Sequence, residues 1–254
     1  VEKISAARAT IDTDAIPGYM MQMTMEYPVL NTNELHGISP GDRISFVLEV
    51  SKTNDWIQDI HCLAHASAAE KTRAASQESD GALTGELKDG DELPDGKLIA
   101  EDGRHIRFSA FRGEAVAFTF FYTRCPLPNY CPLMNRNFEA ARNLISSMPD
   151  APTNWEFLSV SFDPQNDTPQ TLSNYAQLFR GENTNHWLFA AATKSALEVL
   201  APALDLMVVH QGAAISHNLR TVVLDGRGRI YRQFDGNQWT PRELAEAVVS
   251  AARQ

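Results

Sequence analysis

The sequence predicts an α/β domain, a mixed sheet with helices on both faces, preceded by a small all-β barrel. Three observations carry this reading. Residues 1–65 hold short, evenly spaced strand-like segments separated by turn residues, with no helical stripe. Residues 90–254 alternate strand-like and helix-like patterns. Between them, Ala66 to Lys88 is Ala, Ser, Glu and Gly with few large apolar residues, and it includes Ser76-Gln77-Glu78-Ser79-Asp80-Gly81. Such a stretch buries little surface, so residues 66–89 read as a linker.

Composition narrows the class. With 254 residues, 43% hydrophobic and 21% charged, the chain is globular rather than disordered or fibrous. Its formal charge of −10 and lack of a basic block exclude nucleic acid as a partner, because phosphate recognition needs clustered Lys and Arg. The longest apolar run, Val116 to Tyr122, is too short to cross a bilayer.

In the first domain, strands are expected at Ala7–Asp12, Met21–Tyr27, Arg43–Val50 after the turn Ser39-Pro40-Gly41-Asp42, and Trp56–Leu63. Four strands hardly close a barrel, so a further strand is expected near Val1 and incomplete there. In the second domain, the continuous apolar run Val116–Tyr122 predicts a strand covered on both faces. Met134, Phe138, Ala141, Ile145 and Met148 fall at helical spacing, predicting a helix from about Pro132. Trp155–Ser161 follows as a strand. Leu172, Tyr175, Ala176 and Phe179 then form a helical stripe with Thr168 as its cap and Pro169 in its first turn. Trp187–Ala191 is a third strand, and a helix runs through Leu197 and Leu200. Thr221–Leu224 and Arg229–Phe234 form a hairpin around Asp225-Gly226-Arg227-Gly228. A capping box, Thr240 to Glu243, opens a last helix that buries Leu244, Ala247, Val248 and Ala251. This succession fits a thioredoxin-like fold.

The chemistry concentrates in two of the three cysteines. Cys125 leaves the C-terminal end of a central strand, and Cys131 opens the helix that follows. Ligands in open α/β sheets gather at that edge. Helix N-termini favour thiolate over thiol, so the pair is expected to be more acidic than an ordinary cysteine. Thiolates are nucleophiles for disulfide exchange and soft ligands for Cu(I). A structural disulfide or two inert core thiols would also account for a pair, but Pro126, Pro128 and Pro132 stiffen the loop and argue for positioned sulfurs.

Three strings in this region resemble the Sco/SenC family: Phe120-Phe121-Tyr122-Thr123-Arg124-Cys125-Pro126 with Cys131-Pro132, Ser161-Phe162-Asp163-Pro164-Gln165-Asn166-Asp167-Thr168-Pro169, and Ile215-Ser216-His217-Asn218. The resemblance covers residues 90–254. It implies an extracytoplasmic, thioredoxin-like protein, in most members tethered to the membrane, here by a segment outside this sequence. It implies copper bound by two Cys and one His, which map onto Cys125, Cys131 and His217, with Asp163 at an acidic position near the site. The implied partners are a copper-recipient protein such as a cytochrome oxidase subunit and a thioredoxin-like reductant. The family has three residues between its cysteines. This chain has five.

Four of seven methionines stand in Met20-Met21-Gln22-Met23-Thr24-Met25. On a strand, Met21, Met23 and Met25 share a face. Thioethers suit Cu(I), and methionine also fills small cores. Asp14-Ala15-Ile16-Pro17-Gly18-Tyr19-Met20, leading into Met23-Thr24-Met25, resembles a CusF-like copper-binding domain, as do Ser39–Asp42 and Trp56–Ile60. This second resemblance covers residues 1–62. It implies an OB-type barrel carrying Cu(I), with Met23 and Met25 on the two methionine ligand positions. Asp12, Thr13 and Asp14 stand where that family has a histidine, and no tryptophan lies near Met20. His61, Cys62 and His65 add a further group of metal-type residues at the start of the linker.

Two functions follow for the Cys125/Cys131 pair: copper chaperone, or thiol–disulfide oxidoreductase cycling between dithiol and disulfide. A peroxidase of the peroxiredoxin type needs a Thr three residues before its cysteine, and Thr123 is two before Cys125. A binding module with no live chemistry is the fourth reading. His105, His186 and His210 are read as structural.

Overall fold

A computed structural model describes residues 1, 3–5, 7–14, 23–51, 55–66, 87–211 and 214–254. The expected linker lies largely outside the described residues, as do Met20 and Met21. The chain divides into two units. One contains Val1–Gly85 with the segments Pro126–Asn129 and Val209–Asn218. The other contains Glu86–Cys125, Tyr130–Val208 and Leu219–Gln254.

Among the described residues the first unit is built on strands, as expected, with one short 3-10 turn at Thr32–Leu35. Strands β1 (Lys3–Ser5), β2 (Arg8–Thr13) and β3 (Met23–Pro28) form an antiparallel sheet. β1 stands where the further strand near Val1 is expected. Strands β4 (Arg43–Val50) and β5 (Asp55–Ala64) form a separate antiparallel pair. Among the described residues the barrel is not closed: a single bridge, Val29 to Ile57, joins the two sheets. Closure needs a ladder around the whole circumference, and here β3 meets β5 only at its end. Packing does the rest. Ala9, Ile11, Tyr27, Val29, Ile57 and Ile60 are buried, and the Tyr27 ring lies 5.4 Å from that of Phe46.

The second unit is built on a seven-stranded mixed sheet. Its members are β6 (Lys97–Ala100), β7 (His105–Arg107), β8 (Ala115–Phe121), β9 (Trp155–Ser161), β10 (Trp187–Ala192), β13 (Arg220–Leu224) and β14 (Ile230–Asp235). Their order is β14-β13-β8-β9-β10-β6-β7. β8, β9 and β10 run parallel, and the others pair antiparallel. A short pair, β11 (Val208–Gln211) and β12 (Ala214–His217), precedes β13. Every residue of β8 is buried, which requires cover on both faces of the sheet and explains its unbroken apolar pattern.

Four helices complete the unit: α1 (Cys131–Ser146), α2 (Pro169–Arg180), α3 (Lys194–Ala203) and α4 (Pro241–Ala251). The spacing in the sequence locates their buried faces. Met134, Phe138, Ala141 and Ile145 of α1 are fully buried, with the Phe138 ring 4.8 Å from Phe157. Met148 falls beyond the helix end. Thr168 caps α2 by accepting from the Thr171 N–H at 3.3 Å. The Thr240–Glu243 box caps α4 reciprocally. No helix among the described residues is long and apolar enough to cross a membrane.

Candidate metal centre

Cys125 follows β8 at the C-terminal edge of the sheet, and its N–H reaches the Tyr122 carbonyl at 3.3 Å. The two residues before it are held by carboxylates from the motif that begins at Ser161. Asp167, 1% exposed, accepts from the Thr123 N–H at 3.1 Å and the Thr123 hydroxyl at 2.5 Å. It also accepts from the Ser161 hydroxyl at 2.5 Å. Asp163, 3% exposed, accepts from Arg124 Nη2 at 2.7 Å and from Asn166 Nδ2 at 2.9 Å. The Ser161 oxygen in turn accepts from the Asp163 N–H at 3.0 Å. Asp163 is therefore a positioning residue that grips the guanidinium beside the first cysteine. The Asp167 grip on Thr123 is the part of this network that the sequence reading missed. Its signal was present in the quoted string, but no local pattern pairs residues so far apart.

Cys131 is fully buried in the first turn of α1. Its carbonyl accepts from Asn135 Nδ2 at 3.0 Å. The Asn135 amide oxygen accepts from the Ser159 hydroxyl at 2.7 Å, and Ser159 accepts from the Trp187 indole N–H at 3.0 Å. This buried chain ties the helix start to β9 and β10. The Cys131 thiol lies well above the ordinary range, first because burial disfavours the thiolate and then because of the neighbouring Cys125. The acidity expected from the helix N-terminus is thus overturned for Cys131, since desolvation of a fully buried sulfur outweighs the helix dipole. The same pair, after burial itself, pushes the Tyr122 hydroxyl up.

His217 ends β12 and is 7% exposed. Its Nδ1–H donates to the Asn218 carbonyl at 2.8 Å. A neutral ring held this way offers Nε2 as its basic nitrogen. Cys125 and Cys131 place their sulfurs within 4.8 Å of each other. All three cysteines are thiols. In the first unit, the segment Pro126–Asn129 between the cysteines is held through Asn129, whose N–H and Nδ2 donate to Asp55 Oδ1 and O at 3.2 and 3.0 Å. Asn129, within the longer loop between the cysteines, is thus anchored by two hydrogen bonds.

Met23 and Met25 stand opposite Thr13 and Ile11 in the β2–β3 ladder, and their side chains lie outside the described residues. His186 is structural: its Nδ1 donates to the Trp155 carbonyl at 2.8 Å and its ring stacks on Trp155 at 4.4 Å. His105 stands exposed in β7. The side chain of His210 lies outside the described residues.

Fold and site define a thioredoxin-like protein with two cysteines at the sheet edge. The SCO1/SenC family model matches residues 88–253. The chain belongs to the SCO1/SenC family. A second model, that of the copper binding periplasmic protein CusF, matches residues 1–62. No curated protein matches the chain. Among solved structures, it is similar to Arabidopsis thaliana ScoI with copper bound, at 18% identity and TM-score 0.55, covering 64% of this chain and 98% of that one. It is similar to a SCO1/SenC family lipoprotein from Bacillus anthracis, at 18% identity and TM-score 0.57, covering 64% and 96%. It is also similar to BsSco, described as having a disulfide switch and as a member of a family of cytochrome c oxidase assembly proteins. That match has 20% identity and TM-score 0.53, and covers 66% and 97%. At these identities the structures establish the thioredoxin-like fold.

Proposed function

We propose that this protein is an extracytoplasmic copper metallochaperone that carries copper on Cys125, Cys131 and His217 and delivers it to a recipient copper protein. The observation that carries the reading is the pair of thiols, Cys125 and Cys131, within 4.8 Å of each other at the C-terminal edge of the sheet, with His217 assigned to them by its motif. Two thiolates and an imidazole are a soft donor set suited to Cu(I). The copper-bound ScoI and the copper-binding description of the CusF family favour the same cargo. The periplasmic description of CusF and the lipoprotein relative favour a place outside the cytoplasm, with a membrane anchor beyond this sequence. The assembly role given for BsSco favours a cytochrome oxidase subunit as recipient. The methionine face at Met23 and Met25 serves as a second carrier within residues 1–65, joined by residues 66–89 to the SCO1/SenC domain at 90–254.

The chain's own residues prepare the site. Asp167 and Asp163 hold Thr123 and Arg124, and through them the backbone leading to Cys125. Asn135 holds the turn that presents Cys131. Because the buried Cys131 thiol resists ionisation, copper loading displaces its proton and binding strengthens as pH rises. The test is anaerobic Cu(I) titration of the reduced protein against a chromophoric chelator. Replacing Cys125 and Cys131 with Ala removes one equivalent of tightly held copper, and His217→Ala weakens it. Unchanged copper content in the double variant refutes the assignment.

The proximity of the two sulfurs also favours a second reading, thiol–disulfide exchange with a thioredoxin-like reductant. There the two thiols pass two electrons and two protons to a partner disulfide, which becomes a dithiol while Cys125 and Cys131 become a disulfide, and the thioredoxin-like reductant then returns that disulfide to two thiols. Exchange tolerates His217→Ala, whereas copper retention does not.

A further inference from the structure

A second group of metal-type residues sits in the all-β unit. Asp42, Cys62 and His65 each place a ligand atom within 4.8 Å of the other two. Cys62 lies near the end of β5, and His65 follows that strand directly. Asp42 ends the turn before β4, where Gly41 takes φ +89° and the Asp42 N–H closes on the Ser39 carbonyl at 3.0 Å. The Asp42 side chain is buried, yet Cys62 and His65 are exposed. Strand pairing brings the two ends together, with Arg43 opposite Ala64 and Ile44 opposite Cys62.

The three residues have distinct parts. Asp42 Oδ1 accepts from the Ala66 N–H at 2.8 Å. Its Oδ2 accepts from the Ser39 N–H at 2.9 Å and from His65 Nδ1–H at 3.0 Å. Both carboxylate oxygens are thus engaged, and the group acts on the imidazole rather than on an ion. A histidine whose Nδ1–H is held by a carboxylate presents a more basic Nε2 in a fixed orientation, the arrangement that recurs behind metal-bound histidines. Cys62 Sγ lies beside the ring, 3.6 Å from Nδ1 and 3.8 Å from Nε2. Bonds of about 2.3 Å to sulfur and about 2.0 Å to nitrogen leave their two ends about 3.5–3.7 Å apart at tetrahedral to trigonal angles. The sulfur is already close to that range, and sharing an ion requires the exposed Cys62 side chain to turn toward Nε2.

We propose that Cys62 and His65, with Asp42 orienting the imidazole, form a second metal site for a thiophilic d10 ion, Cu(I) or Zn(II). It uses none of the residues Met23, Met25, Cys125, Cys131 and His217. Two protein ligands facing solvent leave coordination positions open, whereas structural ions are enclosed by four. The bound ion is therefore exchangeable, available to an incoming thiol or imidazole from a partner.

The test uses the full chain carrying Cys125→Ser and Cys131→Ser, so that its failure is distinguishable from failure of the chaperone reading. The reduced protein is titrated anaerobically, in one arm with Cu(I) held by a chromophoric chelator and in the other with Zn(II) held by a colorimetric one. In one arm or both, one equivalent passes to the protein, and the arms identify the ion. Adding Cys62→Ser abolishes that equivalent, and His65→Ala does the same. Both positions are exposed, and circular dichroism verifies that these variants fold. Asp42→Asn weakens the site about 10-fold, the usual effect of losing a carboxylate behind a ligand histidine. If neither ion binds in a Cys62-dependent way, or His65→Ala leaves affinity unchanged, the proposal is wrong.

Discussion

The two units present sulfur in opposite ways. In the thioredoxin-like unit, Cys131 is fully buried, and two buried carboxylates hold the residues that lead to Cys125. In the all-β unit, Cys62 and His65 stand in solvent, and one buried carboxylate accepts from the imidazole as well as from two backbone N–H groups. The difference teaches that burial and preorganisation are separate levers. Burial raises the cost of a thiolate and so favours a sulfur that is charged only when an ion or partner arrives. Hydrogen bonds from outside the site fix geometry without touching the ion.

The most forceful way to break the comparison is to remove the preorganisation from the buried site. Asp167→Ala leaves the Thr123 N–H and the Thr123 and Ser161 hydroxyls without their acceptor in a buried place. We expect a loss of about 3 kcal/mol in the denaturant stability of the second unit and about 10-fold weaker copper binding. If affinity is unchanged in a folded variant, the carboxylate clamp does not set the site.

A smaller effect sharpens the contrast between satisfied and unsatisfied burial within one unit. Burial, reinforced by Glu114, pushes the Glu156 carboxyl up to about 8 against the opposing pull of Arg142 and Arg180, and its Oε1 is buried without a hydrogen-bond partner. A carboxyl whose folded pKa is raised stabilises the fold below the unfolded value near 4.5 and loses that contribution as pH rises to about 8. Glu156→Gln removes the loss. At pH 9 the variant is expected to be more stable by about 1 kcal/mol, and below pH 4 the two proteins should coincide in thermal melts.

The least effect concerns Asp42, whose carboxyl is lowered to about 2, first by the Ala66 and Ser39 N–H groups and less by His65. A lowered carboxyl stabilises the fold above the unfolded value of 3.8 and ceases to do so as pH falls toward 2. The all-β unit is expected to soften through that window, and Asp42→Asn should flatten the acid limb of its melting profile. An acid limb of unaltered slope would show that Asp42 does not anchor this end of the sheet.

Much of the fold was legible because its signals are local. The apolar run at β8, the helical spacing of Met134, Phe138, Ala141 and Ile145, and the caps at Thr168 and Thr240 each depend on neighbouring residues. Strand bounds matched within two residues, and the Arg43–Val50 strand matched at both ends. Barrel closure was not legible. It depends on whether β3 and β5 align along their length, and they meet at one bridge.

The sequence by itself determined most of the succession of elements, β6, β7, β11 and β12 excepted, the residues able to ligate a soft ion, and the family, because each is written in short strings. Only the tertiary structure decided which carboxylates serve which ligands. Asp167 reaches Thr123 across 44 positions, and Asp42 reaches His65 across 23. It also decided the state of the Cys131 thiol, where a helix N-terminus argues one way and complete burial the other. Desolvation is a property of everything packed around an atom, and no stretch of neighbouring residues specifies it.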